Sequence, residues 1–395
     1  MALPVNLPYW RLAGIYACYF ALLGVLNPYW GLYLDSIGFT PVQIGQLMGI
    51  LLATKLIAPN LWSFWADYSG HHIRIMRLGA FLTALSFTGI FWHDGNFWTL
   101  AWVMFAFSFF WNAILPQYEV ITLVALKGHE AHYSRVRVWG SVGFIMAVLG
   151  LGVWLDQAPI QTLPWWLWGL MWALLIFSFT LPKLAAKSQE VSQDEQTSLA
   201  QTLKRPQVWV ILLCAWAMQA SHGPYYTFYS LYLEQEGYSR TWIGSLWALG
   251  VGAEVLVFLV MHRLLPALKA EGLLVLSLVL ASVRWFALAL APAHLMFLIP
   301  IQVLHAATFG CFHASCIALV HTYFPKAQAA QGQALYSSVG FGAGGAVGAT
   351  LAGWLWQAYP PSWSFLSAAA LAAGASLLAW HILLGQTLHS QGIAR

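Results

Sequence analysis

Charge is what this chain has least of. Lys, Arg, Asp and Glu together make up 8% of its 395 residues, and only 13 are acidic. An ordinary soluble domain carries roughly 25%. So little charge excludes a water-soluble globular protein. The net charge of +4 is too small and too scattered to suggest a nucleic-acid partner. Cysteine is scarce as well: Cys18, Cys214, Cys311 and Cys316 each fall in an apolar run, where they read as small packing residues rather than disulfide partners or metal ligands. No His-Glu-x-x-His arrangement occurs, although His129, Glu130 and His132 crowd one connection. The glycine-rich stretch after Ser337 is followed by no Lys-Ser or Lys-Thr, which removes a phosphate loop. No nucleophile is seen beside a base and no soluble domain is fused, so a membrane enzyme or a sensor is a poor reading. Neither a cofactor nor a metal is expected.

What the chain has in abundance is apolar length. Hydrophobic residues make up 60% and aromatics 16%, arranged in runs of about 20 residues between short polar connections. Twelve such runs lie at about 10–34, 42–64, 73–92, 96–126, 131–154, 162–182, 207–233, 241–263, 272–291, 294–323, 331–356 and 362–385. In hydrocarbon every backbone amide must be paired internally, and runs of this length achieve that as helices. The expected fold is an all-α membrane protein of twelve transmembrane helices in two pseudo-symmetric six-helix bundles.

The duplication is legible residue by residue. LYLDSIGFTPVQIG from Leu32 returns as LYLEQEGYSRTWIG from Leu231, an offset of 199, and SVGF at Ser141 returns at Ser338, an offset of 197. Residues 1–182 and 207–395 are the expected bundles. The polar stretch 183–206, KLAAKSQEVSQDEQTSLAQTLKRP, is expected to be a mobile cytoplasmic linker that can hold a short helix. Basic residues set the orientation. Arg11, Arg74, Arg77, Lys127, Arg135, Lys183, Lys187, Lys204, Arg205, Arg263, Lys269, Lys326 and Arg395 fall at the termini or in even-numbered connections, against Arg240 in an odd-numbered one. Both termini are therefore expected on the cytoplasmic side of the inner (plasma) membrane. The first run is too long for a signal-peptide core and should stay as the first spanning helix.

Five ionisable residues interrupt the apolar runs: Lys55, Glu119, Arg137, Glu254 and Arg284. Each costs at least about 2.5 kcal/mol at the bilayer centre unless paired or wetted, so each is a site candidate; a structural ion pair is the alternative. Glu119 and Arg137 are 18 residues apart with Gly128 midway, so antiparallel fourth and fifth helices turning there would bring them to one depth. Lys55 and Glu254 differ by the repeat offset of 199, which puts a cation and an acid at equivalent places on the second and eighth helices. A direct ion pair between them is one possibility. Burial disfavours a bare carboxylate, which makes Glu254 the first candidate to carry a proton and Glu119 the second. Gly340, Gly344 and Gly348 recur every four residues on the eleventh helix, a small-residue face for close helix contact.

Twelve helices in two parallel repeats joined by a long loop resemble the major facilitator superfamily of secondary transporters. Its loop signature after the second helix has a counterpart in SFWADYSGHH, where Ala66, Asp67 and Gly70 match while Tyr68, His71 and His72 replace basic positions. The resemblance implies that Asp67 and Gly70 belong to a cytoplasmic gate. Pro116, Glu119, Arg135, Arg137, Trp139 and Gly140 are similar to the lactose permease subfamily's fourth- and fifth-helix pattern. That likeness makes Glu119 and Arg137 substrate-binding residues, with Phe144 in the place of an aromatic that stacks on the arginine. Arg284 and His305 resemble that subfamily's proton-coupling pair, but Thr308 stands where it has an acid, so the sugar relay is not reproduced residue for residue. The 3-phenylpropionate permease subfamily is a closer resemblance, through Gln219, His222, Tyr225, Tyr226, the ALGVGAEV segment at Glu254, Arg284 and His305 with Thr308. It implies substrate contacts from Gln219, His222 and Tyr226 and proton coupling through Glu254, Arg284 and His305.

Several cations, few acids and many aromatics suit an amphipathic anion whose carboxylate pairs with Lys55 or Arg137. The expected activity is proton-coupled import of a small organic anion such as an aromatic carboxylate, by a monomer working through alternating access. A nucleoside or oligosaccharide symporter is the alternative.

Overall fold

A computed structural model describes residues 8–129, 132–181, 198–290 and 294–385. Among these residues every regular element is helical. Nine helices among the described residues are long and apolar enough to cross a membrane. One of them, Arg240–Leu290, covers two of the expected runs, and its helical path breaks at Lys269, where φ is 56° and ψ 158°. The two runs outside the nine are helices in pieces. The seventh is Pro206–Ser221 followed by Gly223–Gln235, and the eleventh is Ala329–Ser337, Ser338–Gly344 and Gly345–Ala358. Most of the 183–206 linker lies outside the described residues, as do Lys183, Lys187 and Arg395. Its far end holds a short helix, Leu199–Thr202, tied down by Thr202 Oγ1 donating to Gln328 Oε1 at 2.8 Å.

The side chains on the outside are those of a protein dissolved in lipid. Trp98, Met296, Trp354 and Leu377 are all more than 60% exposed, which in water would be an aggregation surface. The chain forms two compact units. The described residues of one fall within Met1–Gln43, Ile57–Gln189 and Gly237–Ala248, those of the other within Ile44–Leu56, Glu190–Glu236 and Leu249–Arg395.

Each unit is built around a glycine-mediated helix crossing. In the first, a Cβ at Gly143 of the fifth helix (Tyr133–Gln157) would lie 2.2 Å from the Ala17 carbonyl oxygen. A Cβ at Gly24 of the first helix (Tyr9–Ser36) would lie 2.6 Å from that of Phe144. In the second, a Cβ at Gly344 would lie 2.4 Å from the Trp216 carbonyl oxygen, and one at Gly348 2.3 Å from that of Ala220. Gly340 would be in ordinary contact at 3.4 Å. Removing the side chain lets backbones touch, and these crossings set where the polar residues of each unit meet.

Candidate functional site

The amino-terminal unit holds one cluster. The fourth helix stops at Trp111 and restarts at Ile114, with Pro116 in the first turn, where its missing N–H costs nothing. The restart fans Gln117, Tyr118 and Glu119 around one turn, so that Gln117 meets His72, the Tyr118 hydroxyl donates to the Leu12 carbonyl and Glu119 is left for the fifth helix. Gly128 turns the chain with φ 80°, and Glu119 meets Arg137 with Oε1 3.9 Å from Nε. That is contact between charges at longer than hydrogen-bond length, and both side chains keep a third or more of their exposure, 33% for Arg137 and 40% for Glu119. The guanidinium lies over Phe20, 4.3 Å from the ring centroid, and Tyr16, 5.2 Å away. Both rings come from the first helix. A Cβ at Gly140 would lie 2.8 Å from the Phe20 ring, so glycine there makes room for the stack. The Tyr133 hydroxyl lies within interaction range of both charges.

Phe144 is not the stacking partner. It is buried, with its backbone against Gly24, while Phe20 and Tyr16 cover Arg137.

The carboxy-terminal unit holds a denser network around Arg284, which is fully buried. Its Nε donates to the Ile301 carbonyl at 3.0 Å, Nη1 to Thr308 Oγ1 at 3.0 Å and to His305 Nδ1 at 3.1 Å, and Nη2 to Gln302 Oε1 at 3.4 Å. Tyr225 and Trp285 flank it with ring centroids at 4.5 and 4.4 Å. A guanidinium only donates, so His305 Nδ1 accepts; in the neutral ring the proton sits on Nε2, 3.8 Å from Glu254 Oε2. Gly310 makes this approach possible, since a Cβ there would lie 3.2 Å from Glu254 Cγ. Gln302 completes the network, accepting from Tyr225 at 2.9 Å and donating to Tyr229 at 2.6 Å.

Irregular helices frame this network. Pro224 cannot continue the hydrogen-bonding of the preceding turn, and the seventh helix breaks at His222. The tenth turns to π-helix over Ala306–Cys311, directly after His305, and the eleventh over Ser338–Gly344. Such insertions recur at functional sites because they redirect side chains out of helical register.

Lys55 and Glu254 do not form an ion pair. The second helix is interrupted by a 3-10 turn, Thr54–Leu56, that carries Lys55, whereas the helix bearing Glu254 runs straight through it. Equal repeat positions therefore present their side chains differently, and the acid faces His305. His222 stacks on Tyr226 with centroids 5.6 Å apart. Gln219 is buried one turn earlier and takes no part in the Arg284 hydrogen bonds. Gly70 caps a helix in the left-handed conformation at φ 67°. Asp67 is 71% exposed and pairs with His72 Nε2 at 3.7 Å, and His72 Nδ1 reaches Gln117 Oε1 at 2.7 Å. His72, at one of the signature's basic positions, is thus the partner of Asp67, and Gln117 backs the imidazole. Arg77 donates to the Ser178 carbonyl and lies over Phe179.

Sequence reasoning missed Tyr16, Phe20, Gln302, Tyr229 and Trp285. An amide in an otherwise apolar run was a usable signal for Gln302, which a search for formal charges passed over. The rings carried no signal, because aromatics are common throughout.

Residues 9–367 match the MFS_1 like family. The chain is 30% identical over 346 residues to the probable 3-phenylpropionic acid transporter of Escherichia coli, covering 87% of this chain and 89% of that protein. It is 24% identical over 344 residues to the maltose permease of Geobacillus stearothermophilus, covering 83% of each. A mutant form of the nucleoside transporter NupG has the same fold, with a TM-score of 0.85 over 94% of this chain and 98% of its own at 16% identity. So does the POT family transporter PepTSo, with a TM-score of 0.77 over 99% of both chains at 10% identity. These relatives and neighbours are transporters, not enzymes. The chain accordingly belongs to the MFS_1 like family and is a multi-pass membrane protein, a secondary transporter of the major facilitator type for a small molecule.

Proposed function

We propose that the protein imports a small aromatic carboxylate together with protons, by alternating access of its two six-helix halves, 1–182 and 207–395. It would do so as a monomer in the inner (plasma) membrane with both termini cytoplasmic. The observation that carries the reading is Arg137: a part-exposed guanidinium on two aromatic rings, held only loosely by Glu119 at 3.9 Å. A carboxylate can bind a guanidinium held this loosely while an apolar body lies along the rings. Arg284 is a poor alternative, since four of its N–H donors already have protein acceptors. The 30% identical relative supports an aromatic acid as substrate.

Glu254 is the proposed proton carrier. When it is ionised, the N–H of His305 Nε2 faces it; when it is protonated, that contact weakens and the buried charge is removed. Arg284 holds His305 in the tautomer that makes this possible. Lys55 is the further cation for the carboxylate, and Gln219, His222 and Tyr226 are proposed to contact the substrate's body.

The test is uptake of radiolabelled 3-phenylpropionate into proteoliposomes, with and without an inward proton gradient, by wild type, Glu254→Gln and Lys55→Ala. Gradient-driven accumulation lost in both variants is the expected result. A correctly inserted wild type that takes up none would remove that substrate and move the weight to sugars or nucleosides. The maltose permease likeness then directs the screen to sugars and, after them, nucleosides, for which Lys55→Ala should be harmless.

A further inference from the structure

His222 is fully buried at the break of the seventh helix, and one of its nitrogens is unaccounted for. Nδ1 lies 2.8 Å from the Met218 carbonyl oxygen, which only accepts, so Nδ1 carries the ring hydrogen. A second proton, on Nε2, would be buried near the Arg284 guanidinium with no acceptor. The ring is therefore neutral and Nε2 is a bare acceptor. No hydrogen-bond partner for it exists among the described residues.

The donors around it are engaged elsewhere. Trp285, whose ring meets His222 edge-on at 4.8 Å, donates to Ser221 Oγ at 3.2 Å. His305, 6.2 Å away, turns its Nε2 towards Glu254, and Arg284 donates to Ile301, Gln302, His305 and Thr308. The face of the imidazole is covered by Tyr226. An unsatisfied buried acceptor is costly, and it stands where a transporter helix is broken, the usual setting for substrate contacts.

We propose that His222 Nε2 accepts a hydrogen bond from the transported molecule, which therefore carries a hydroxyl or N–H donor. A hydroxylated aromatic acid fits this description better than a plain one. The inference rests on the aromatic-anion reading above and narrows it.

The probe is displacement of labelled 3-phenylpropionate from the purified full-length protein by its 3-hydroxyphenyl and 4-hydroxyphenyl analogues and by the matching methoxy compounds. At least one hydroxyl isomer should bind ~10-fold more tightly than its methyl ether in wild type, the factor expected of one buried hydrogen bond. The ratio should fall to about one in His222→Leu and persist in His222→Gln, whose amide oxygen still accepts. Equal affinity of hydroxyl and methoxy partners at both ring positions in wild type would overturn the proposal, and so would a preference that survives in His222→Leu. If the leucine variant does not fold, the wild-type ratio and the glutamine variant decide. Failure of the label itself to bind folded wild type would sink the aromatic-anion reading, an outcome distinct from binding without discrimination.

Discussion

Replacing Arg137 by lysine keeps the positive charge and removes nearly everything else the site offers. The guanidinium is planar, lies 4.3 Å over Phe20 and 5.2 Å over Tyr16, and can present two parallel N–H groups to a carboxylate. An ammonium is a hydrated point charge on a thinner stem, so it loses the stack and one of the two hydrogen bonds. The stacking contribution at a part-buried site is about 1 kcal/mol. The second hydrogen bond contributes about another 1 kcal/mol. Together they correspond to roughly 30-fold in Kd. Isothermal titration of 3-phenylpropionate into purified Arg137→Lys should show that loss with little change in melting temperature, because the pair with Glu119 is half-exposed and long. Phe20→Leu should produce the stacking part alone, about 5-fold. Binding by Arg137→Lys within twofold of wild type would refute the assignment, since charge alone would then suffice and the rings would be packing.

The proton and packing roles separate cleanly in other variants. Glu254→Gln should abolish gradient-driven accumulation while preserving exchange of labelled for unlabelled substrate across equilibrated proteoliposomes, because the amide oxygen can still accept from His305 Nε2. Gly348→Val places a Cβ 2.3 Å from the Ala220 carbonyl oxygen and 2.7 Å from its Cα, both backbone atoms that cannot swing aside. It should destabilise by about 1–3 kcal/mol and lower the unfolding temperature in a fluorescence melt, whereas Gly150→Ala, with nothing within 4 Å, should not. His72→Ala deprives buried Gln117 of its 2.7 Å partner and should reduce stability by about 1–3 kcal/mol in the same assay, with Gly169→Ala, likewise in open space, as the neutral control.

Local features of the chain were enough for the class of fold and for the ion pair at the centre of one of the two clusters. Apolar run length reports a membrane helix because the bilayer's thickness is a fixed ruler, and every backbone amide inside it must be paired along the chain. Glu119 and Arg137 were legible as partners for a similar reason: Gly128 lies midway between them, and equal rise on two antiparallel helices brings them to one level. Wherever a helix departs from regularity, such counting fails. The 199-residue offset related Lys55 to Glu254 in register, but a 3-10 turn at Thr54–Leu56 and an uninterrupted helix through Glu254 gave the two side chains different surroundings. The lactose permease likeness put Phe144 on Arg137, while the rings that cover Arg137 come from the first helix, where Gly140 leaves room for them.

By itself the amino-acid sequence determined an all-helical membrane protein with a repeated plan and the handful of charges it must accommodate, because hydropathy, chain length and repeat offset act along the chain; that it is a transporter came from family resemblance. Only the tertiary structure decided which group answers each charge: Gln302, Tyr225 and Trp285 around Arg284, His305 for Glu254, and His72 for Asp67. Those pairings depend on helix breaks and glycine contacts that bring distant residues together. Short-range forces between residues far apart in sequence choose the partners, and no period along the chain encodes them.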